Sequence, residues 1–593
     1  MGNHKGCPSP NKKDDSYLTA TDLANTEILA VSSRPQQRRL LLLFFVCCTC
    51  SFEFFYLLLF ALSSFPGLHL SSTPIGEAWP WTFWPAQVLT GIISPLMKVS
   101  TRHEGLSPVL LGMTLIGLMG TYALAIVVLQ GRSTDELVNT RCCLFLLFAS
   151  TLIFCVTLLF QPLLLSDDVF SYIFSGRILA VYGVDPLNTA PMRFPFDPYL
   201  QWVLSGRASP NIFGPFWLCI ATLLAAISNK PVITLLLFKG VAVLSHLLNS
   251  LLIWGILSRS VPRRRLLGTL LYAWNPLAVI ELAGSGHSEG VLLTLLLLAT
   301  LLYVYQLPGA ERENTNSLPL FPPALLKGSA LLIFGLAVGM NFITLLIVPL
   351  LFWFDVRSEQ NMSRALWKVG GYALLVLIPA LAVTLPFWRG ASTFFAVTSA
   401  IDMQHFVYSP ISLLADPLHR LFGFVARTIG FPLFEQPAVA ADVTLRASAT
   451  FIFVLIYVRL FSQVRNASVT LAEPDNCPHR DSDMLVAGLD TLLKCWGIAI
   501  FCYMGLVSGW FWPWYLLWLL WVVVVQRLSI FTSAMLVLSG TALFIYPFVG
   551  FSTGPMTTHQ AALIFGIPLC YLIIGCGCQK YWGGSRTTQN MLN

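Results

Sequence analysis

Between residues 40 and 574 the chain returns repeatedly to apolar runs of about twenty residues, separated by turn-forming or basic segments. A run of that length and composition reads as a helix that crosses a bilayer, because only there does so much continuous apolar surface find a solvent. Within the hydrocarbon a helix also satisfies its own backbone hydrogen bonds. The fold class is therefore all-α, a polytopic transmembrane protein of about 12–14 spans. Composition agrees: of 593 residues 56% are hydrophobic and 11% charged, against about 25% charged in soluble domains. No water-soluble domain is visible. The longest polar stretches, 1–39 and 463–483, are short and lack the apolar periodicity of a core.

Basic residues set the orientation. Arg34, Arg38 and Arg39 precede the first run and place the N-terminus in the cytoplasm, and no cleavable signal peptide is evident. Spans are expected at 40–62, 108–129 and 142–165, the last exiting outward. The apolar stretch 212–227 is read as an interfacial or re-entrant helix, since a full crossing would put Arg263, Arg264 and Arg265 outside. Further spans fall at 232–257, 266–283, 291–307, 370–387, 443–460 and 492–507. The run 325–354, broken at Gly339-Met340-Asn341, reads as two short spans, and three more lie near 515–525, 530–545 and 561–574. The layout is a cytoplasmic tail (1–39), a membrane domain (40–576) and a second cytoplasmic tail (577–593). The net charge of +7 is scattered between spans, as orientation requires, and marks no nucleic-acid binder. Most of the fourteen cysteines lie in apolar runs, and neither Cys576-Gly577-Cys578 nor Cys477-Pro478-His479 has the second half of a metal site.

Parity brings the unusual polar residues to the outer face. Asp167 and Asp168 follow a span directly, in what reads as a non-helical loop running on through Tyr172, Gly176-Arg177 and Asp185-Pro186. One carboxylate could act as general base on a hydroxyl. The pair could instead hold a divalent cation, with no other cofactor indicated, or simply cap a helix, since Ser-Asp-Asp is a good N-cap sequence. The company of Tyr172, Arg177 and Asp185 favours a site. Arg177 has the fixed fork that clamps phosphate, or it could snorkel to lipid headgroups. His287 and Glu289 share a Gly-rich turn on the same face, with Asn341, His405 and Tyr408. The aromatic cluster Trp512-Pro513-Trp514-Tyr515 fits an interfacial belt, or a surface that stacks on a sugar or guides a prenyl chain. Asn275-Pro276 and Pro386-Phe387 read as kinks or helix ends.

The motif Ser166-Asp167-Asp168-Val169-Phe170-Ser171-Tyr172, followed by Gly176-Arg177 and Gly183-Val184-Asp185-Pro186, resembles the bacterial polyprenol-phosphomannose-dependent α-1,6-mannosyltransferases of the GT-C superfamily. So do Trp274-Asn275-Pro276, Gly286-His287-Ser288-Glu289, Ser409-Pro410 and Phe511-Trp512-Pro513-Trp514-Tyr515-Leu516-Leu517-Trp518. The resemblance runs over residues 100–575 or so. It places the family's aspartate on Asp168 and leaves Asp167 at a variable position. Phe170 replaces a tyrosine, and Asn341 stands where many relatives of the wider superfamily carry a lysine.

The resemblance implies a GT-C catalytic domain over 40–576 in a bacterial plasma membrane, with its site on the outer face. The implied reaction moves a hexose, mannose by family, from a polyprenyl phosphate to a hydroxyl of a glycan or lipid-linked glycan, with inversion. Asp168 would take the acceptor proton, and Arg177 and His287 would face the donor phosphate. The remaining candidates for the donor or its sugar are Tyr172, Asp185, Glu289, Asn341, His405, Trp512, Trp514 and Tyr515. The partners are the lipid donor, the glycan acceptor and membrane lipid, with no nucleic acid. A transporter or flippase would show polar residues near the bilayer midplane and an inverted repeat. In a non-catalytic envelope-assembly protein the carboxylates would be dispensable.

Overall fold

The structure, a computed structural model, describes residues 20–62, 106–130, 140–161, 165–203, 206–210, 213–307, 321–393, 408–429, 436–466, 480–549 and 558–589. The chain is an all-α polytopic membrane protein. Among the described residues eleven helices are long and apolar enough to cross a membrane, or twelve if the bent pair Pro262–Ala273 and Pro276–Gly284 counts as one span. The higher sequence count differs because Phe342–Val356 and Pro513–Val525 are apolar but short; Pro215–Ile227, not counted as a span, is short as well. The run 325–354 thus yields one span, Pro323–Met340, and a short helical piece rather than two spans. The first helix begins at Ala20 and the last runs to Gln589, so regular structure enters both segments read as polar tails.

Trp274 marks the centre of the core. It is fully buried, and the rings of Phe45, Phe52 and Phe154 close on it at 5.5, 5.5 and 6.0 Å. Directly after it the chain bends by 51°. Proline 276 cannot donate to the preceding turn, and Asn275 repairs the break. Its Oδ1 accepts from the backbone N–H groups of Leu277 and Ala278, and its Nδ2 donates to Ser539 Oγ at 3.0 Å. The short helix beyond continues as a π-turn at Ile280–Gly284, the kind of local widening often found at functional sites. That bend carries Glu281 and, just past it, the Gly286-His287 turn.

The segment expected to be a non-helical loop begins with a helix. Asp168–Ala180 is α-helical, and Val169 through Ile178 are buried. The helix packs on Pro215–Ile227, and Gly176 makes the contact close: a Cβ there would lie 2.3 Å from the Ala221 carbonyl oxygen. The Gly-Arg pair therefore begins with a packing requirement. Irregular structure follows only from Val181 onward.

The spans also hold polar groups deep in the bundle. Lys239, His246 and Asn249 on Pro231–Ser260 are wholly buried. Lys239 Nζ donates to the Leu158 and Gln161 carbonyls, both at 2.8 Å, and so satisfies the C-terminal end of Thr140–Leu159. Asn249 Nδ2 donates to Tyr272 Oη and to the Gly290 carbonyl, at 3.0 Å each.

Candidate active site

Asp168 stands in the first turn of its helix, directly after Asp167 at the N-cap position. The Asp167 side chain makes no capping bond; the Asp168 N–H reaches Ser166 Oγ instead, at 3.3 Å. The pair is therefore not a simple helix cap. Asp168 is half-buried. Burial pushes its carboxyl up to about 6, with the charges of Asp167 and Glu281 adding to the rise and that of His287 opposing it.

The Gly286 turn delivers His287 to the same place. Gly286 has φ +76°, a left-handed conformation, and a Cβ there would lie 3.1 Å from Lys239 Cγ and 3.4 Å from Val169 Cγ2. His287 is fully buried, with its ring stacked on Trp514 at 4.2 Å and 23°. Its Nδ1 lies 3.3 Å from Tyr172 Oη and 3.8 Å from Glu289 Oε2. Its Nε2 lies 3.3 Å from Glu281 Oε2, a charge contact in which neither atom makes a well-aligned hydrogen bond. Glu281 Oε1 accepts from Tyr546 Oη at 2.6 Å. Burial alone would lower the imidazole's pKa. Glu281 first, then Glu289 and Asp168, outweigh that and hold it above its ordinary value.

Aromatic rings wall this cluster. Trp512 stacks on Trp514 at 5.1 Å and 7°, Tyr408 meets Trp512 edge-on at 5.0 Å, and Tyr515 stacks on Trp518 at 4.3 Å. Trp514, at 6% exposure, is an inner wall rather than a belt residue facing lipid.

The structure thus brings together Asp168, Tyr172, His287, Glu289, Trp512, Trp514 and Tyr515. It adds Glu281 and Tyr546, which sequence reasoning missed. Glu281 had a signal, since a lone carboxylate inside an apolar run is costly and usually functional. Tyr546, in Phe544-Ile545-Tyr546-Pro547, had none.

Other candidates sit elsewhere. Arg177 is not an open phosphate clamp: Nε and Nη2 both donate to Asp197 Oδ2, at 3.1 and 2.8 Å. Its Nη1 donates to Asn229 Oδ1, and the guanidinium lies 4.1 Å from the centre of the Tyr199 ring. Asp185 holds its own turn, accepting from the Leu187 N–H and from Asn188 Nδ2. Asn341 caps the short 3-10 helix Phe342–Leu346 by accepting from the Ile343 N–H. His405 lies outside the described residues. No group of three or more His, Cys, Asp or Glu side chains has the arrangement of a metal site among the described residues.

A half-buried carboxylate with elevated basicity, an imidazole of raised basicity beside it and an aromatic wall suit acid–base chemistry on a hydroxyl. Residues 84–357 match the family model described as alpha-(1->6)-mannopyranosyltransferase, N-terminal domain. That segment, a little under half of the chain, is similar to the N-terminal domain of these mannosyltransferases. The matched segment contains Asp168, Glu281, His287 and Glu289, whereas Trp514 and Tyr546 come from beyond it. Two solved structures from Archaeoglobus fulgidus are similar to it. The oligosaccharyltransferase in complex with Zn and sulfate is 14% identical with a TM-score of 0.33, over 73% of this chain and 52% of that one. The oligosaccharyltransferase AglB in complex with an inhibitory peptide and a dolichol-phosphate is 13% identical with a TM-score of 0.33, over 72% of this chain and 56% of that one. The chain thus spans little more than half the length of those proteins. No curated protein matches it.

Proposed function

We propose that this protein is an integral-membrane glycosyltransferase that moves a hexose, mannose by family, from a polyprenyl-phosphate carrier to a hydroxyl of a glycan or glycolipid. The observation that carries the reading is Asp168. It is the carboxylate at the mouth of a buried Glu281–His287–Glu289 cluster, and its pKa of about 6 leaves it ionised at neutral pH yet more basic than an ordinary aspartate.

Asp168 takes the proton of the acceptor hydroxyl as its oxygen attacks the anomeric carbon. The bond from that carbon to the phosphate oxygen breaks, and the lipid phosphate leaves with the electron pair. A single displacement of this kind inverts the anomeric centre. Asp167, Asp168, Glu281 and Glu289 would together repel an anionic donor; the neighbouring carboxylates favour the protonated form of His287, and in that form its charge offsets part of the field and lets a phosphate approach. Arg177 acts through Asp197 to fix the loop beside the site. The arginine distribution supports a site on the non-cytoplasmic face, where a lipid-linked donor serves and nucleotide sugars are scarce.

The test uses purified protein, labelled polyprenyl-phosphate-mannose and lipid-linked acceptors, comparing the wild type with Asp168→Asn. Loss of a general base should lower turnover about 10²- to 10⁴-fold, and Asp167→Asn should matter less. Near-normal turnover by Asp168→Asn would sink the assignment of the base. Robust transfer from GDP-mannose without any polyprenyl phosphate would overturn the donor.

A further inference from the structure

A second set of charges lies at the opposite end of the bundle. Arg259 Nη2 donates to the Leu307 carbonyl, past the end of Glu289–Gln306. That helix has 18 residues, so at about 1.5 Å per residue its two ends lie roughly 27 Å apart. Arg259 is therefore about a bilayer core away from Glu289. Beside it the sequence Pro262-Arg263-Arg264-Arg265 turns the chain from one span into the next.

Arg264 Nη1 donates to the Gln526 carbonyl at 2.9 Å, which sets the exposed Arg527 next to it. The Arg265 guanidinium lies 5.0 Å from the centre of the Trp254 ring. Asp490 is within electrostatic reach of Arg264 but is committed to Lys494 at 2.7 Å. Arginines that serve only orientation can stay solvated. Here Arg264 Nη2 and Arg265 Nε are buried atoms with no hydrogen-bond partner among the described residues. Two arginine donors with no acceptor, beside the exposed Arg527, have hydrogen-bonding capacity and charge to offer an oxyanion with several acceptor oxygens.

The same helix shows what such an anion is attached to. Leu244, Leu248 and Leu251 are exposed, 66%, 40% and 53% respectively, at spacings of four and three residues. They form an apolar stripe along Pro231–Ser260 that leads to Trp254 and the arginines. An acyl chain on the stripe ends in a headgroup at the cations. We propose that Arg264, Arg265 and Arg527 bind the phosphate of an anionic phospholipid, at a site separate from the one that holds Asp168.

The experiment places the purified chain in vesicles of phosphatidylcholine, with or without phosphatidylglycerol. Bound lipid is read by native mass spectrometry and stability by thermal unfolding. The wild type should retain phosphatidylglycerol over phosphatidylcholine and melt higher in its presence. Arg264→Gln and Arg527→Gln should each weaken that retention about fivefold, while Arg264→Lys keeps most of it. Equal retention of the two lipids, or glutamine variants that bind like wild type, would overturn the proposal. Inorganic phosphate raising the melting temperature in neutral vesicles as much as phosphatidylglycerol would overturn the lipid assignment. Should a glutamine variant fail to fold, the comparison of the two lipids on wild-type protein decides by itself.

Discussion

Replacing Arg177 separates two roles with opposite signatures. The Arg177 and Asp197 side chains are 6% and 0% exposed and 2.8 Å apart, and Asp197 Oδ2 also accepts from Tyr182 Oη at 2.8 Å. Removing one partner of such a pair leaves the other charge buried and uncompensated, which costs about 3–5 kcal/mol. Arg177→Met also loses the contact with the Tyr199 face, roughly 0.5–2 kcal/mol, and recovers part of the apolar packing of the stem. The expected loss is thus about 3–5 kcal/mol. Arg177→Met/Asp197→Leu buries neither charge, and replacing a buried pair by apolar groups is often close to neutral. The double variant should therefore be more stable than Arg177→Met alone. Thermal unfolding of detergent-solubilised protein gives the order of stabilities, and steady-state kinetics gives the donor KM. A donor clamp predicts the reverse: unchanged melting, a raised donor KM and no rescue by the second substitution. That result would refute the structural role.

Asp168 should impose an acidic limb on activity, falling as pH drops through about 6 where its carboxyl takes a proton, and Asp168→Asn should abolish that limb. Its folded pKa is raised from 3.8, so the folded state binds more protons than the unfolded one between about pH 4 and 6, and stability falls across that window as pH rises. Asp168→Asn should accordingly be more stable than wild type at pH 8, by about 1–3 kcal/mol, and little different at pH 4; equal melting at both would contradict the burial. Gly286→Ala forces an L side chain into a left-handed turn against Lys239, and should cost about 1–3 kcal/mol together with most turnover. Full activity in that variant would show that the turn does not position His287. Tyr546→Phe leaves Glu281 Oε1 without its donor, a loss of about 1–3 kcal/mol, and should move the activity–pH profile through His287, whereas a purely structural phenol would leave the profile where it was.

Much of this protein is written locally. A helix in a bilayer needs only its own apolar length, so the spans around 40–62, 108–129 and 142–165 were legible from runs of residues without any partner. The acidic motif and the Gly-His-Ser-Glu turn were legible too, because carboxylates beside a span and a glycine-framed histidine are costly patterns. What the sequence could not decide is whom each polar group faces. Arg177 looked available because its partner Asp197 lies twenty residues away, in a segment with no motif. Glu281 was hidden inside a span, and its relation to His287 depends on a π-turn that the Asn275-Pro276 break allows. Trp514, which stacks on His287, and Tyr546, which donates to Glu281, lie more than two hundred residues beyond His287 and are brought to the site by helix packing alone. Local composition determines which segments enter the bilayer, since each residue meets the same solvent. Burial, charge pairing and basicity depend on distances between segments, and those exist only once the helices pack.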